Sequence, residues 1–296
     1  MDIIHTFSIA GWTFKTISER QDGDILKLLP SFLPFQTEPS EKEPLFLLTI
    51  DDDLQPIPSA CCEHIRAFDS GNGYVIVDRL HNGGYQYLIK DLEGHPCCLL
   101  LTNKDFTNNK CALYGGIKGR AFGLNDALML CFAFAGSKKK TLLIHASVVR
   151  NEGYGYAFIA KSGTGKSTHT ALWLKHIKGC DLMNDDNPVV RIIEGQPYIF
   201  GSPWSGKTPC YRNVKARLGA ITHIERAKTD EIRKLAPVKA FTAVLPSCST
   251  MKWDKDIYDS ICDTITGILQ TTGIYQLRCL PDEEAARMAY HTLRRI

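Results

Sequence analysis

Along the first 120 residues, short apolar runs alternate with turn residues. Leu45 to Ile50, Tyr74 to Val77, Tyr85 to Ile89 and Cys97 to Leu101 are punctuated by Gly71-Asn72-Gly73, Asn82-Gly83-Gly84 and Asn108-Asn109. Apolar runs of this length bounded by glycine and asparagine predict strands joined as successive hairpins, so residues 1–120 are expected to form a β-rich domain. The segment from Pro30 to Pro44, with Glu41-Lys42-Glu43 inside it, reads as a long loop. Asp51-Asp52-Asp53 follows a strand and reads as a polar turn, with a cation site as the sharper alternative.

The periodicity then changes. Leu124, Ala127, Leu128, Cys131, Phe132 and Ala135 recur at helical spacing and predict a helix over 122–136 that packs on the second half, with a domain boundary near residue 120. Beyond it a buried strand is expected over Thr141 to Val149, then a turn at Asn151-Glu152-Gly153 and a partner strand over Tyr156 to Ala160. A hairpin follows at Pro188 to Ile193 and Pro197 to Gly201, turning at Glu194-Gly195-Gln196. Later elements are a strand over 218–224, helices near 237–246 and 254–270, and a strand over 274–280. The last helix opens on Pro281-Asp282-Glu283-Glu284, a proline in its first turn and acids at the positive end of its dipole. Strands interleaved with helices make residues 121–296 an α/β (α+β) domain.

Composition adds exclusions. With 296 residues, 44% hydrophobic and 23% charged, the chain is of ordinary globular type and long enough for two modest cores. A net charge of +3 supplies no field that points to nucleic acid, and Lys138-Lys139-Lys140 reads as a solvated turn. The first residues, with an acidic second position and no long apolar core, do not read as a secretory signal, and the longest apolar stretch, Ala127 to Ala135, is far too short to span a membrane. Eleven scattered cysteines without any C-x-x-C spacing read as reduced thiols, so a cytoplasmic protein is expected.

The chemistry concentrates between residues 145 and 186. Ala160-Lys161-Ser162-Gly163-Thr164-Gly165-Lys166-Ser167 lies between an apolar strand and a helix-compatible stretch from Thr168 to His176, the arrangement of a phosphate-binding loop. A triphosphate carries several negative charges, and a glycine-rich turn lets consecutive backbone N–H groups converge on them at a helix N-terminus. Lys161 to Thr168 are thus the candidate nucleotide-binding residues, with Lys166 reaching the β- and γ-phosphates and the Ser167 hydroxyl a magnesium ligand. Nineteen residues after Lys166, the strand Leu182-Met183 ends in Asn184-Asp185-Asp186. Adjacent carboxylates there suit two tasks, one holding the metal and the other accepting a proton from an attacking hydroxyl. Alone, Asp-Asp-Asn-Pro is an unremarkable tight turn; beside a phosphate loop it is a candidate metal and catalytic pair. Likewise His145, in an apolar strand, is on its own more simply a core histidine.

The ordered set Ile144-His145-Ala146-Ser147, then Phe158 to Thr168, then Asn184-Asp185-Asp186 resembles the nucleotide site shared by HPr kinase/phosphorylase and ATP-dependent phosphoenolpyruvate carboxykinase, which holds a histidine strand, phosphate loop and Asp-Asp within about fifty residues. The resemblance covers roughly residues 141–224 and implies an HPr-kinase/carboxykinase-like domain using ATP and Mg²⁺. It implies that Lys166 and Ser167 serve phosphate and metal, that Asp185 and Asp186 divide metal binding and proton acceptance, and that His145 orients the metal or the transferred phosphate. It also leaves room for a homo-oligomer. Two departures stand out: the leading glycine of the loop is Ala160, and the glycine-rich signature expected after the aspartates has only a faint echo in Arg217-Leu218-Gly219-Ala220-Ile221. Between them, Gly201-Ser202-Pro203-Trp204-Ser205-Gly206-Lys207 reads either as a mobile loop over the site or as a surface turn with an aromatic plug. Lys207 and Arg212 are candidates to stabilise the transferring phosphoryl group. The expected activity is transfer of the γ-phosphoryl group of ATP to a hydroxyl, on the model of a serine, of a protein, peptide or small molecule. The competing expectation is an ATP-binding sensor without turnover.

Overall fold

The structure, a computed structural model, describes residues 2–19, 24–39, 41–206 and 208–294. It is mixed α/β with two sheets, and its internal contacts divide the chain into Met1–Gly136 and Ser137–Ile296.

The first unit holds strands β1 (Ile3–Ile9), β2 (Trp12–Ser18), β3 (Leu47–Ile50), β4 (Cys62–Asp69), β5 (Tyr74–Leu80), β6 (Tyr85–Lys90), β7 (Pro96–Thr102) and β8 (Asn108–Leu113), with a one-turn helix α1 (Ile25–Leu28) and the long helix α2 (Ile117–Ser137). They form one sheet in the order β1-β2-β3-β8-β7-β6-β5-β4. The hairpins run in succession from β4 to β8, and β3 enters parallel to both β2 and β8. The expected turn at Asn108-Asn109 is instead the start of β8. The reversal comes earlier, where the Asn103 carboxamide oxygen accepts from the Thr107 and Asn108 amides and Phe106 takes φ 56°. The expected loop after Pro30 contains a 3-10 turn, Pro30–Phe35, that buries Phe32 and Phe35 completely.

Helix α2 belongs to this first unit, so the boundary lies at residue 136 and not near 120. Phe132 meets Phe14 and Phe134 meets Phe106, at ring separations of 6.3 and 5.2 Å. Gly123 lies directly on the backbone of β7: a β-carbon there would stand 2.5 Å from the Cys97 carbonyl oxygen. Sequence periodicity identifies a buried helical face, but it carries no information about which sheet covers that face.

The second unit contains β9 (Thr141–Leu143), β10 (Ala146–Asn151), β11 (Tyr154–Ile159), α3 (Lys166–His176), β12 (Asp181–Asp186), β13 (Val189–Ile193), β14 (Gln196–Phe200), β15 (Lys215–Arg226), β16 (Glu231–Lys234), α4 (Pro237–Val244), α5 (Lys255–Thr271), β17 (Gly273–Cys279) and α6 (Glu283–Leu293). The single strand expected over 141–149 is two, β9 and β10, which face β13 and β12 in one antiparallel register: Leu143 opposite Val189, Ala146 opposite Asp186. The break falls opposite Pro188. The Ile144 amide donates to the Pro188 carbonyl, but proline has no N–H to donate back; on the other side of the strand the His145 amide donates to the Ser247 carbonyl at 2.6 Å, in the bridge that pairs Ile144 with Cys248.

Strand β11 runs parallel to β15, and β15 parallel to β17; β10 runs the other way, and β12, antiparallel to β10, runs with β11. The C-terminal ends of β11, β15, β17 and β12 and the start of β10 therefore meet at one edge of the sheet, the edge at which open α/β sheets hold their ligands. Beneath it, Trp173 of α3 is fully buried against Tyr156 and Phe158 of β11 and Tyr290 of α6, with ring separations of 5.2, 5.4 and 5.7 Å. Among the described residues no helix is long and apolar enough to cross a membrane.

Because Trp173 holds α3 to the sheet, Trp173→Ala is expected to lower the unfolding free energy of the second unit by about 3–5 kcal/mol in urea denaturation. Changing the exposed Lys178 to Ala should shift it by no more than about 0.5 kcal/mol. A small effect of Trp173→Ala would contradict the packing described.

Candidate functional site

The glycine loop leaves β11 at Ile159 and enters α3 at Lys166. Its two glycines hold φ of 76° at Gly163 and 125° at Gly165, values that side-chain-bearing residues rarely adopt. A β-carbon at either position would meet no protein atom within 4 Å, so conformation demands glycine here and the space above the loop is open. Gly165 occupies the N-cap position of α3 and offers no side-chain oxygen, leaving the first amides of the helix available to an anion. Ala160, where a leading glycine was expected, is 6% exposed and part of the apolar core under α3; its methyl group packs downward, away from the loop.

Five of the predicted residues meet at the helix start. The Ser167 hydroxyl donates to Asp185 Oδ1 at 3.0 Å. The Lys166 ammonium lies back along the loop and donates to the Ala160 carbonyl at 3.2 Å. His145 Nε2 stands 3.3 Å from Asp186 Oδ1. His145 lies in the break between β9 and β10 described above, and its ring faces the end of β12. Lys161, Ser162, Gly163 and Thr164 line the open face of the loop together with His223, Glu225 and Arg226, and Thr168 is exposed on the first turn of α3.

The acid pair is built rather than merely present. Asn184, fully buried, donates its carboxamide N–H to the Ser202 hydroxyl and to the Trp204 carbonyl, at 3.1 and 3.2 Å, while its oxygen accepts from the Asp186 amide at 3.1 Å. The Ser202 hydroxyl donates to the Asn187 carbonyl, and the Gly206 amide to the Asp185 carbonyl. The segment 201–206 is thus a wall of the site, with Trp204 plugged into it at 3% exposure. Its glycines serve close approach: a β-carbon on Gly201 would lie 2.0 Å from the Arg212 carbonyl oxygen, and one on Gly206 2.9 Å from that of Asp185.

Charge in this half-buried place is held in balance. Burial lowers the Lys166 pKa below the ordinary lysine value, against the pull of Asp186 and Asp185. Burial raises the Asp186 carboxyl above the usual range, although His145 and Lys166 oppose the rise. His145 is lowered, first by burial and then by the Lys166 charge, which favours a neutral ring able to donate a hydrogen bond to Asp186.

Arg212 does not join this group. Its guanidinium donates to the Leu182 carbonyl and to Asp181 Oδ2, the latter at 2.8 Å, and Arg150 grips the same carboxylate with bonds of 3.0 and 2.7 Å. Asp181 opens β12 and Asp186 closes it, so Arg212 is anchored about 16 Å away along the strand. The expected role of Arg212 at the transferring phosphoryl group is therefore replaced by a structural one. Lys207, the other candidate for that role, lies outside the described residues.

Three residues that the sequence reading passed over also shape the site. Asn184 was read only as the residue that precedes the acid pair at the strand end. Arg226, at the far end of β15, donates to the Thr164 and Gly163 carbonyls at 3.0 and 2.6 Å and braces the loop; no local pattern could pair it with residues more than sixty positions away. His169 sits on the buried side of α3, where helical spacing from Trp173 was its only signal.

The assembled donors are one hydroxyl and two carboxylates, with a primary ammonium and neutral imidazole beside them. Hard oxygen ligands in an incomplete set suit magnesium, which is held through one or two carboxylates and the phosphates of its substrate. Among the described residues no group of three or more His, Cys, Asp and Glu side chains forms a cage of its own.

The raised Asp186 pKa fixes a sign. The native state holds that proton more tightly than the unfolded chain, so ionising Asp186 costs stability. The cost is absent below the unfolded carboxylate value of about 3.9 and grows as pH rises through the raised folded value. Asp186→Asn is expected to raise the melting temperature by about 1–3 °C at pH 7, a gain that vanishes toward pH 4; scanning calorimetry across that range checks it, and a lower melting temperature at pH 7 would contradict it. A scan of the chain against protein-family models finds no match, and neither does a search among curated proteins.

Proposed function

We propose that the second unit is an HPr-kinase-like nucleotide domain, and that the protein is an ATP-dependent phosphotransferase acting on a hydroxyl group. One arrangement carries the reading: a glycine loop opening a helix, whose Ser167 is hydrogen-bonded to Asp185 while Asp186 and His145 stand beside Lys166, all at one sheet edge. The order and spacing of the same residues along the chain, and the cytoplasmic setting expected from composition, agree with it.

In this reading the backbone amides from Gly163 to Ser167 and the Lys166 ammonium bind the triphosphate. Ser167 and Asp185 would hold Mg²⁺, which when bound supplies neutralisation of phosphate charge. Asp186 takes the proton from the acceptor hydroxyl. Its raised pKa makes it a stronger base than an exposed carboxylate, and neutral His145 orients it through the 3.3 Å contact. The wall formed by Asn184, Ser202 and Trp204 keeps the acid pair in place and limits water at the reacting centre. The acceptor is a hydroxyl of a protein, peptide or small molecule.

Lys166→Ala is expected to weaken Mg·ATP binding by one to two orders of magnitude, about 1.4–2.8 kcal/mol. Asp186→Asn should leave binding within about threefold and slow phosphoryl transfer by about 10²–10⁴. The measurement is transfer from γ-labelled ATP into fractionated extract of the source cell, with Lys166→Ala as control. Unchanged affinity in Lys166→Ala sinks the nucleotide reading. Tight ATP binding with no labelled acceptor in any fraction would favour an ATP-binding sensor.

A further inference from the structure

The wall segment 201–206 brings to the acid pair a hydroxyl that the phosphotransferase chemistry proposed above leaves unused. Asp186 and Ser205 form an antiparallel bridge. Its two hydrogen bonds belong to the flanking residues: the Asn187 amide donates to the Trp204 carbonyl at 3.2 Å, and the Gly206 amide to the Asp185 carbonyl at 2.8 Å. That is the non-hydrogen-bonded kind of antiparallel pair, in which the two α-carbons stand about 4.5 Å apart and the side chains leave the same face of the ladder. The backbone thus sets the Ser205 side chain beside the Asp186 carboxylate. Gly206 adds no side chain over them; a β-carbon there would lie 3.5 Å from the Asp186 carboxyl carbon.

Ser147, Ser167 and Ser202, which also border the acid pair, are engaged. The fully buried Ser147 hydroxyl accepts from Thr170 at 2.7 Å, Ser167 donates to Asp185, and the fully buried Ser202 donates to the Asn187 carbonyl at 2.6 Å. Ser205 differs. It is partly exposed, and its hydroxyl donates within its own turn, to the Thr208 carbonyl at 2.7 Å. Rotation about one side-chain bond exchanges that acceptor for a carboxylate oxygen. Asp186, 31% exposed and in contact with His145, is open on this side.

We infer that Ser205 is an internal acceptor of the γ-phosphoryl group, modified by the site of its own chain; the inference rests on the phosphotransferase reading above. Ser205 Oγ forms a bond to the γ-phosphorus, the bond from that phosphorus to the β–γ bridging oxygen breaks, and ADP leaves. The hydroxyl proton passes to Asp186. No group is oxidised or reduced. Because base and acceptor belong to one bridge, the step is intramolecular.

The test incubates the purified full-length protein with γ-labelled ATP and Mg²⁺, without extract, and places the label by tandem mass spectrometry. Up to one phosphate per chain is expected, on Ser205, with a first-order rate constant unchanged when the protein is diluted about tenfold. Ser205→Ala should lower incorporation at least about tenfold, while Ser205→Thr, which keeps a hydroxyl, should retain it. Asp186→Asn should slow it by about 10²–10⁴. The position labelled in the wild type decides the matter even where Ser205→Ala does not fold. Label lost in acid marks phosphohistidine, and label lost to hydroxylamine marks an acyl phosphate of the acid pair; either overturns the inference. So does incorporation that Ser205→Ala leaves undiminished, or whose rate constant rises with protein concentration. A protein that labels an acceptor in cell extract but not itself overturns the inference and leaves the phosphotransferase reading standing. A protein that labels neither overturns both.

Discussion

The chemical edge of the second unit depends on the two short bridges that flank a gap in its sheet, Ile144 with Cys248 and Asp186 with Ser205. Pro188 interrupts the ladder between β9–β10 and β12–β13 because it has no amide proton. Beside that gap the outward-facing His145 amide donates to Ser247 in the bridge of Ile144 with Cys248, and the His145 ring lies against Asp186, while Asn187 and Asp186 pair with the 201–206 segment through Trp204 and Ser205. These bridges hold the end of β12 where two carboxylates, an imidazole and the start of α3 converge.

Convergence has an electrostatic cost that the surroundings limit. Each of Lys166, Asp186 and His145 is pushed toward its neutral form by burial, and each opposite charge partly restores its neighbour. The charged state of the site is therefore unfavourable on its own, a cost that the proposed polyanion and cation would offset on binding together. Elsewhere in the same unit, charge is settled internally. Burial opposes ionisation of Asp181, but the guanidiniums of Arg150 and Arg212 outweigh it and hold the carboxyl below the usual range. That group has nothing left to offer a ligand. The contrast between the two ends of β12 separates a carboxylate whose charge is settled internally from one whose charge is not.

The loop illustrates the same division on a smaller scale. Glycines 163 and 165 are required by backbone conformation, and their open surroundings leave room for phosphate. Ala160 is compatible with the loop because its methyl group belongs to the core beneath, beside Trp173 and Phe158. Local chemistry at positions 163–167 and packing at position 160 answer to different constraints, so a departure from the usual pattern at the latter leaves the former intact.

By itself, the sequence determined what depends on neighbours along the chain. The glycine spacing before Lys166, the acids closing a short apolar run, the hairpin at Glu194-Gly195-Gln196 and the apolar face of α2 are all local patterns, and backbone geometry reads local patterns directly. Tertiary structure alone decided which sheet covers α2, that Arg212 is bound to Asp181 rather than to the site, and that Arg226 braces a loop more than sixty residues away. Each of these depends on which distant strands become neighbours, and strand order is set by the summed packing of the whole unit, which no short window of residues contains.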